Sequence, residues 1–140
     1  MRRHEFSNEQ TLCDFAADFA RKLRPGDVVA LSGPLGSGKT TFVRAVVRAL
    51  HRTDETTSPT FAFWHRYEGE PPIDHLDLFR IGSPNECAEL GLEAAFEAAD
   101  SIALVEWWRN APSLLPSHRY EIAIEGAGDG PRVVTVTEPA

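Results

Sequence analysis

The stretch that most constrains this chain is GPLGSGKT at residues 33–40, which directly follows the apolar run at residues 28–31. It fits the pattern Gly-x-x-x-x-Gly-Lys-Thr, and its flanks predict a strand before the loop and a helix after it. Glycines allow successive backbone N–H groups to turn towards one polyphosphate, and the helix N-terminus adds its partial positive charge. The sequence therefore predicts a nucleoside triphosphate site.

Two side chains of this loop have predicted roles of their own. Lys39 offers a positive charge to the β and γ phosphates, and the Thr40 hydroxyl is a hard oxygen ligand for Mg²⁺. The chain has no Asn-Lys-x-Asp segment, which is the usual guanine-reading element of small GTPases. We therefore expect ATP as the nucleotide, together with Mg²⁺.

Composition narrows the class of partner. The chain has 140 residues and a net charge of −7, which predicts a single domain, 1–140, without the basic patch that binds nucleic acid directly. A role on nucleic acid would therefore act through a partner protein. There is no apolar run long enough for a membrane span and no apolar leader segment, and we expect Cys13 and Cys87 to be free thiols in the cytoplasm.

The remaining pattern predicts a three-layer α/β domain of the P-loop NTPase fold, with a mixed, mainly parallel central sheet and β-hairpin elements. A capping box at Ser7-x-x-Gln10 should start the first helix, and Arg24-Pro25-Gly26 should stop it. A helix should follow the N-cap Ser83, with Pro84 in its first turn and Glu86 as the capping-box glutamate, and break at Gly91. Strands are expected at 27–32, 60–67, 73–79, 101–106, 120–125 and 132–137, of which the second and third form one antiparallel hairpin and the last two form another.

Two acidic residues stand where a P-loop enzyme needs them. Glu106 ends the apolar run at 102–105, and ligands of open α/β sheets gather at the carboxyl ends of strands. Asp77 alternates with two leucines in HLDLFR, so it shares a face with His75 and could reach the magnesium. The alternative for both acids is a solvated position without a catalytic role.

Two further segments carry weaker signals. Ser58 and Thr60 lie in TSPTF after the P-loop helix, where P-loop proteins place a switch threonine that reaches the γ-phosphate and metal. Trp107 and Trp108 could stack on the base or form a contact surface, and buried packing is the alternative reading of both. These roles stay open at the level of sequence.

Four motifs in this order, GPLGSGKTT, SPTF, HLDLFR and LVEW, resemble the bacterial TsaE family over roughly Phe6 to Thr137. These are small ATPases required to make threonylcarbamoyladenosine on tRNA. The resemblance implies an ATPase that works with a TsaB–TsaD heterodimer, in which TsaD modifies adenosine 37 of tRNAs that read codons beginning with A. It also implies that tRNA is reached only indirectly, through the complex.

The resemblance also implies site residues. It makes Thr60 the switch threonine, Asp77 and Glu106 the acids near magnesium, and Trp107 the adjacent tryptophan. Two departures from the family pattern are Pro34, where many relatives have an acidic residue, and Trp108-Arg109. The nucleotide-binding positions implied in the loop are Gly36, Ser37, Gly38, Lys39, Thr40 and Thr41.

The expected mechanism is hydrolysis that is slow in the free protein and completed by docking. Thr40 and the carboxylates of Asp77 and Glu106 would hold the metal, partly through water, with Lys39 on the phosphates. Glu106 is the candidate to orient the attacking water, and Asp77 could share or exchange that role. Two alternatives stay open: a nucleotide-gated binding module with incidental turnover, and a small-metabolite kinase, which would need an acceptor pocket and an arginine-rich lid.

Overall fold

A mixed seven-stranded sheet organises residues 1–51, 63–97 and 99–139, the part of the chain that the computed structural model describes. The strands are β1 (Arg2–Phe6), β2 (Val28–Ser32), β3 (Trp64–Tyr67), β4 (Ile73–Asp77), β5 (Ile102–Glu106), β6 (Tyr120–Glu125) and β7 (Arg132–Thr137). The helices are α1 (Glu9–Ala20), α2 (Lys39–His51), α3 (Pro84–Leu90) and α4 (Ala94–Glu97), with short 3₁₀ turns at Trp108–Asn110 and Pro112–Leu114.

The strand order is β1-β7-β6-β2-β5-β4-β3. Strands β6, β2, β5 and β4 run parallel to one another, whereas β7 and β3 pair antiparallel with their neighbours. Strand β1 is antiparallel to β7 and therefore runs in the same direction as the parallel group. The predicted mixed, mainly parallel sheet is confirmed, and so are its two hairpins, β3–β4 and β6–β7.

Helical layers cover both faces of the sheet, as a buried central strand requires. On β2, Val29 and Leu31 belong to the core beneath α1 and α2, while Val28 and Ala30 belong to a second core on the opposite face. That second core also contains Cys87 of α3. The two cores make the architecture three-layered, as predicted.

The start of the chain departs from the prediction. The N-cap of α1 is Asn8, whose Oδ1 accepts from the Thr11 N–H at 3.0 Å; the predicted pair was Ser7 and Gln10. Asn caps a helix as well as Ser does, and the chain up to Phe6 is extended because β1 pairs with β7. The sequence of β1 lacks an apolar alternation, so this pairing had no local signal.

Other boundaries shift by a few residues. Helix α1 ends at Ala20, before the predicted stop at residues 24–26. Strand β3 is seen from Trp64 onwards, and the predicted residues 60–62 lie outside the described part. Helix α3 follows its predicted N-cap Ser83 and ends at Leu90, with Gly91 as its C-cap; the Glu86 carboxylate accepts the Gly82 N–H and not the Ser83 N–H of a capping box. Among the described residues, no helix is long and apolar enough to cross a membrane.

Candidate nucleotide site

The glycine loop occupies the turn between β2 and α2, and its close contacts explain its residue types. A Cβ atom on Gly33 would lie 2.3 Å from the Ile124 carbonyl oxygen of β6. Gly38 has a φ of +111°, and a Cβ atom there would approach Leu12 of α1 to 3.1 Å. A larger residue at either position would force the loop away from its neighbours.

Lys39 points back across this loop. Its Nζ donates to the carbonyl oxygens of Gly33 at 2.6 Å and Pro34 at 3.0 Å. Burial lowers the pKa of the Lys39 ammonium, while the nearby charges of Glu106 and Asp77 oppose that change. Replacement of the two carbonyls by an anionic ligand would favour the charged form of the lysine.

Glu106 lies at the centre of the site and is only 2% exposed. The Thr40 hydroxyl donates to both of its carboxylate oxygens, at 3.0 and 3.1 Å. The Nε2 atom of His75 lies 2.6 Å from the Glu106 Oε2 atom. The end of β5, the start of α2 and the middle of β4 therefore converge on one buried carboxylate.

Asp77 is the register partner of Glu106 across the parallel pair β4–β5. Its Oδ1 atom accepts the Phe79 N–H at 3.0 Å. Burial raises the pKa of the Asp77 carboxyl; the Phe79 hydrogen bond opposes the rise, and the Glu106 charge adds to it. A pair of acids, one buried and one partly buried, at the carboxyl ends of two strands favours a positive ligand in this position.

These side chains surround a pocket of about 300 Å³. A larger cavity of about 530 Å³, between β1 and α1, shares no lining residue with it. We assign the site to the smaller pocket because it holds the loop, the lysine and both acids. Of the predicted residues, those that line it are Gly36, Gly38, Lys39, Thr40, Thr41, Asp77, Glu106 and Trp107.

One predicted residue that the structure describes, Ser37, does not line the pocket. Ser37 is fully buried, and its N–H donates to the Pro34 carbonyl at 3.1 Å. Within the described part of the chain, its Oγ atom is a buried polar atom without a hydrogen-bond partner. Thr60, with Ser58, lies outside the described residues.

The two tryptophans separate into different environments. Trp107 has the left-handed φ of 58°, a conformation that costs a bulky residue about 1–3 kcal/mol and persists only where neighbouring contacts hold it. Its ring lies 4.4 Å from Lys39 Nζ and 4.8 Å from the Phe79 ring. Trp108 is 6% exposed and packs in the second core, with the Arg119 guanidinium over its ring. Packing is therefore the observed role of Trp108, and the pocket wall is that of Trp107.

Sequence reasoning missed several contacts. It placed His75 near Asp77, whereas the imidazole contacts Glu106 directly. The shared face of residues 75 and 77 was the available signal. Nothing in the sequence pointed to Phe79 at the pocket wall or to Arg132, which is buried behind the loop.

The site has oxygen atoms that could ligate the magnesium of a bound nucleotide, but its side chains do not form a complete metal site by themselves. In the described ranges, no group of three or more His, Cys, Asp or Glu side chains converges as a metal site. Magnesium in nucleotide sites is held by one or two protein oxygens, water and the phosphates. The Thr40 hydroxyl and the Glu106 carboxylate, in contact with each other beside the loop, fit that ligand set.

Fold and site together define a domain of the P-loop NTPase class. Residues 6–134 match the family model described as "Threonylcarbamoyl adenosine biosynthesis protein TsaE", and the chain belongs to the TsaE family. A TsaE protein of Bacillus subtilis is 37% identical over 129 residues, covering 91% of this chain and 78% of the relative. A TsaE protein of Streptomyces coelicolor is 39% identical over 126 residues, covering 84% of each. The crystal structure of Bacillus subtilis YdiB has a TM-score of 0.80 and 31% identity, covering 99% of this chain and 86% of the other.

Proposed function

We propose that this protein is the ATP-binding and ATP-hydrolysing subunit that supports threonylcarbamoyladenosine formation at adenosine 37 of tRNA, in association with a TsaB–TsaD pair. The observation that carries the proposal is the contact between the Thr40 hydroxyl and the buried Glu106 carboxylate, next to Lys39 at the glycine loop. Membership in the TsaE family supports the threonylcarbamoyladenosine pathway, and the geometry of the site supports ATP binding and hydrolysis.

The loop side of the pocket would bind the triphosphate. Lys39 exchanges its two carbonyl partners for phosphate oxygens, and backbone N–H groups of the loop and the α2 N-terminus complete the cradle. Thr40, with Glu106 and Asp77 nearby, would hold magnesium, which would supply charge neutralisation at the phosphates. Trp107 closes the pocket above Lys39 and is placed to contact the nucleotide.

Glu106 and Asp77 would position the water that attacks the γ-phosphate. Glu106 is accessible from the pocket although its side chain is buried, so it can accept a hydrogen bond from a water aligned with the γ-phosphate. His75 and Thr40 hold the carboxylate from two sides and restrict its orientation. Asp77 then orders the water around the metal or shares the role of Glu106.

The rim of the pocket favours a partner. Leu35 is 72% exposed and Phe79 is 51% exposed, and both line the pocket mouth. Lys39 is the only cationic side chain among the described lining residues, so the second positive charge that phosphoryl transfer usually requires would come from outside. The net charge of −7 agrees with tRNA being held by the partner.

The test is the rate of ATP hydrolysis by wild type and Glu106→Ala, each alone and with the purified TsaB–TsaD pair. We expect slow turnover alone, strong stimulation by the pair, and loss of both in the variant with ATP binding retained. Wild-type ATP binding without stimulation would contradict the partner-gated ATPase.

Threonylcarbamoyladenosine formation, measured in the same mixtures, separates the ATPase from a nucleotide-gated binding module. The ATPase predicts that Glu106→Ala fails to support repeated modification cycles. Full support by a hydrolysis-dead protein would identify the binding module instead. Transfer of phosphate to an added small-molecule acceptor would identify a kinase.

A further inference from the structure

Arg132 is a buried cation behind the glycine loop. It opens β7 and is 1% exposed, among the largest side chains that the fold buries completely. Among the described residues, its carboxylate contact is Glu9 at 3.7 Å, and the Glu9 side chain is half exposed to solvent. Burial of a guanidinium with so distant a counterion is costly, and apolar residues fill such a space at less cost.

The guanidinium is held by three backbone carbonyls. Its Nε donates to the Ser37 oxygen of the glycine loop, and Nη1 and Nη2 donate to the Gly130 and Gly128 oxygens of the β6–β7 turn, all at 2.8 Å. One planar group thus joins the phosphate loop to the terminal hairpin. This contact spans 95 residues of sequence.

The contact at Ser37 fixes one peptide group of the loop. In a planar trans peptide, the C=O of one residue and the N–H of the next point in opposite directions. With the Ser37 C=O directed at Arg132, the Gly38 N–H is directed away from it. Gly38 lines the pocket and has a φ of +111°. Because a glycine backbone has few intrinsic constraints, an outside contact is needed to fix its orientation.

We propose that Arg132 is a positioning residue for polyphosphate binding. It orients the Ser37–Gly38 peptide so that the Gly38 N–H faces the ligand, and it adds a fixed positive charge behind the loop. This inference rests on the proposed nucleotide-binding function. It deepens that function because it assigns the geometry of the loop to a residue from the opposite end of the chain.

The test compares Arg132→Met and Arg132→Lys with Arg66→Met. Arg66 serves as the control, since it is a partly buried arginine that bonds to the Asp74 carboxylate but lies on β3, outside the pocket lining. Two quantities are measured on the full chain: the Kd of Mg·ATP by calorimetry, and the hydrogen exchange rate of the Gly38 amide without nucleotide.

We expect Arg132→Met to weaken ATP binding about tenfold or more and to speed Gly38 exchange, because a charged hydrogen bond to the loop is lost. Arg132→Lys has a single ammonium without the planar fork, so its Kd and its Gly38 exchange rate should lie between those of wild type and Arg132→Met. Arg66→Met should leave both quantities near wild type. If Arg132→Met does not fold, Arg132→Lys decides.

A folded Arg132 variant with wild-type Kd and wild-type Gly38 exchange would overturn the inference. Equal losses in the Arg66 variant would also overturn it, since they would trace the effect to general destabilisation. A wild-type protein that binds no ATP would contradict the proposed function. The Gly38 exchange rates would then still decide whether Arg132 orders the loop.

Discussion

Asp74 and Glu106 are two buried carboxylates on neighbouring strands, and they lie at opposite ends of the pair β4–β5. Asp74 is fully buried and accepts from Trp64 Nε1 at 2.9 Å, Arg66 Nη1 at 3.2 Å and Ser101 Oγ at 2.5 Å. Glu106, at 2% exposure, accepts from the Thr40 hydroxyl and has His75 at 2.6 Å.

The two carboxylates differ in what their partners leave open. Asp74 has a permanently charged partner and fixed donors on both oxygens, and it lines none of the described pockets. Glu106 faces a pocket, and one of its partners is a hydroxyl that can ligate a metal. Both carboxylates are buried, and their partners distinguish Asp74, whose bonds are all within the fold, from Glu106, which we propose as the catalytic carboxylate.

The largest expected contrast is in turnover. Glu106→Gln keeps the shape of the side chain and its contact with Thr40 but removes the charge, so hydrolysis by the complete assembly should fall by about 10²–10⁴-fold. Asp74→Asn should leave turnover per folded molecule within about threefold, since it lies outside the pocket. Single-turnover assays at saturating ATP measure both, and similar losses in the two variants would contradict the distinction.

The second contrast is in stability and has the opposite order. Asp74→Asn places an amide N–H₂ among three donors and removes the countercharge of Arg66, so the free energy of unfolding should fall by about 2–3 kcal/mol. Glu106→Gln should lower the free energy of unfolding by less than Asp74→Asn does, because the Glu106 carboxylate has no permanently charged partner in the described structure. Urea denaturation at pH 7 measures both values. A larger loss in Glu106→Gln would show that Glu106 holds the fold together.

The sequence predicts a catalytic role for Glu106 and gives no signal for the hydrogen bonds of Asp74. Glu106 follows an apolar strand beside a glycine loop, and both features are local in sequence. Asp74 shares its strand with His75 and Asp77, but its partners Trp64, Arg66 and Ser101 meet it only through strand pairing. The same reason hid β1 and Arg132, whose places are set by contacts with residues far along the chain.

The third contrast compares variants at Thr40, and it tests the role of the Thr40 hydroxyl that donates to Glu106. Thr40→Val keeps the shape of the side chain and removes the oxygen, so the Mg²⁺ concentration for half-maximal turnover should rise about tenfold or more. Thr40→Ser, the matched control, keeps the oxygen and should remain near wild type. Magnesium titrations at fixed ATP measure the shift. Equal behaviour of the two variants would contradict the assignment of Thr40 as a metal ligand.

The smallest expected effect is the change in stability on substitution of Asp77. Its sign is opposite to that expected for Asp74. Burial raises the pKa of Asp77, so the folded state binds its proton more tightly than the unfolded state does. The resulting stability is present at acidic pH and is lost as the pH rises through the raised pKa of the folded protein. Asp77→Asn removes this cost and still accepts the Phe79 N–H through its Oδ1 atom.

At pH 7, in the absence of nucleotide, Asp77→Asn should therefore be more stable than wild type by less than about 1 kcal/mol, since the carboxyl is only partly buried. The difference should shrink as the pH falls through the raised pKa of Asp77 towards the ordinary pKa of an aspartate. Turnover should fall in the same variant, because the proposed magnesium site loses one of its carboxylates. Thermal unfolding between pH 4 and pH 8 (about the range that spans the titration) measures the trend. A variant that is less stable than wild type at pH 7 would place Asp77 with Asp74, as a carboxylate whose charge stabilises the fold.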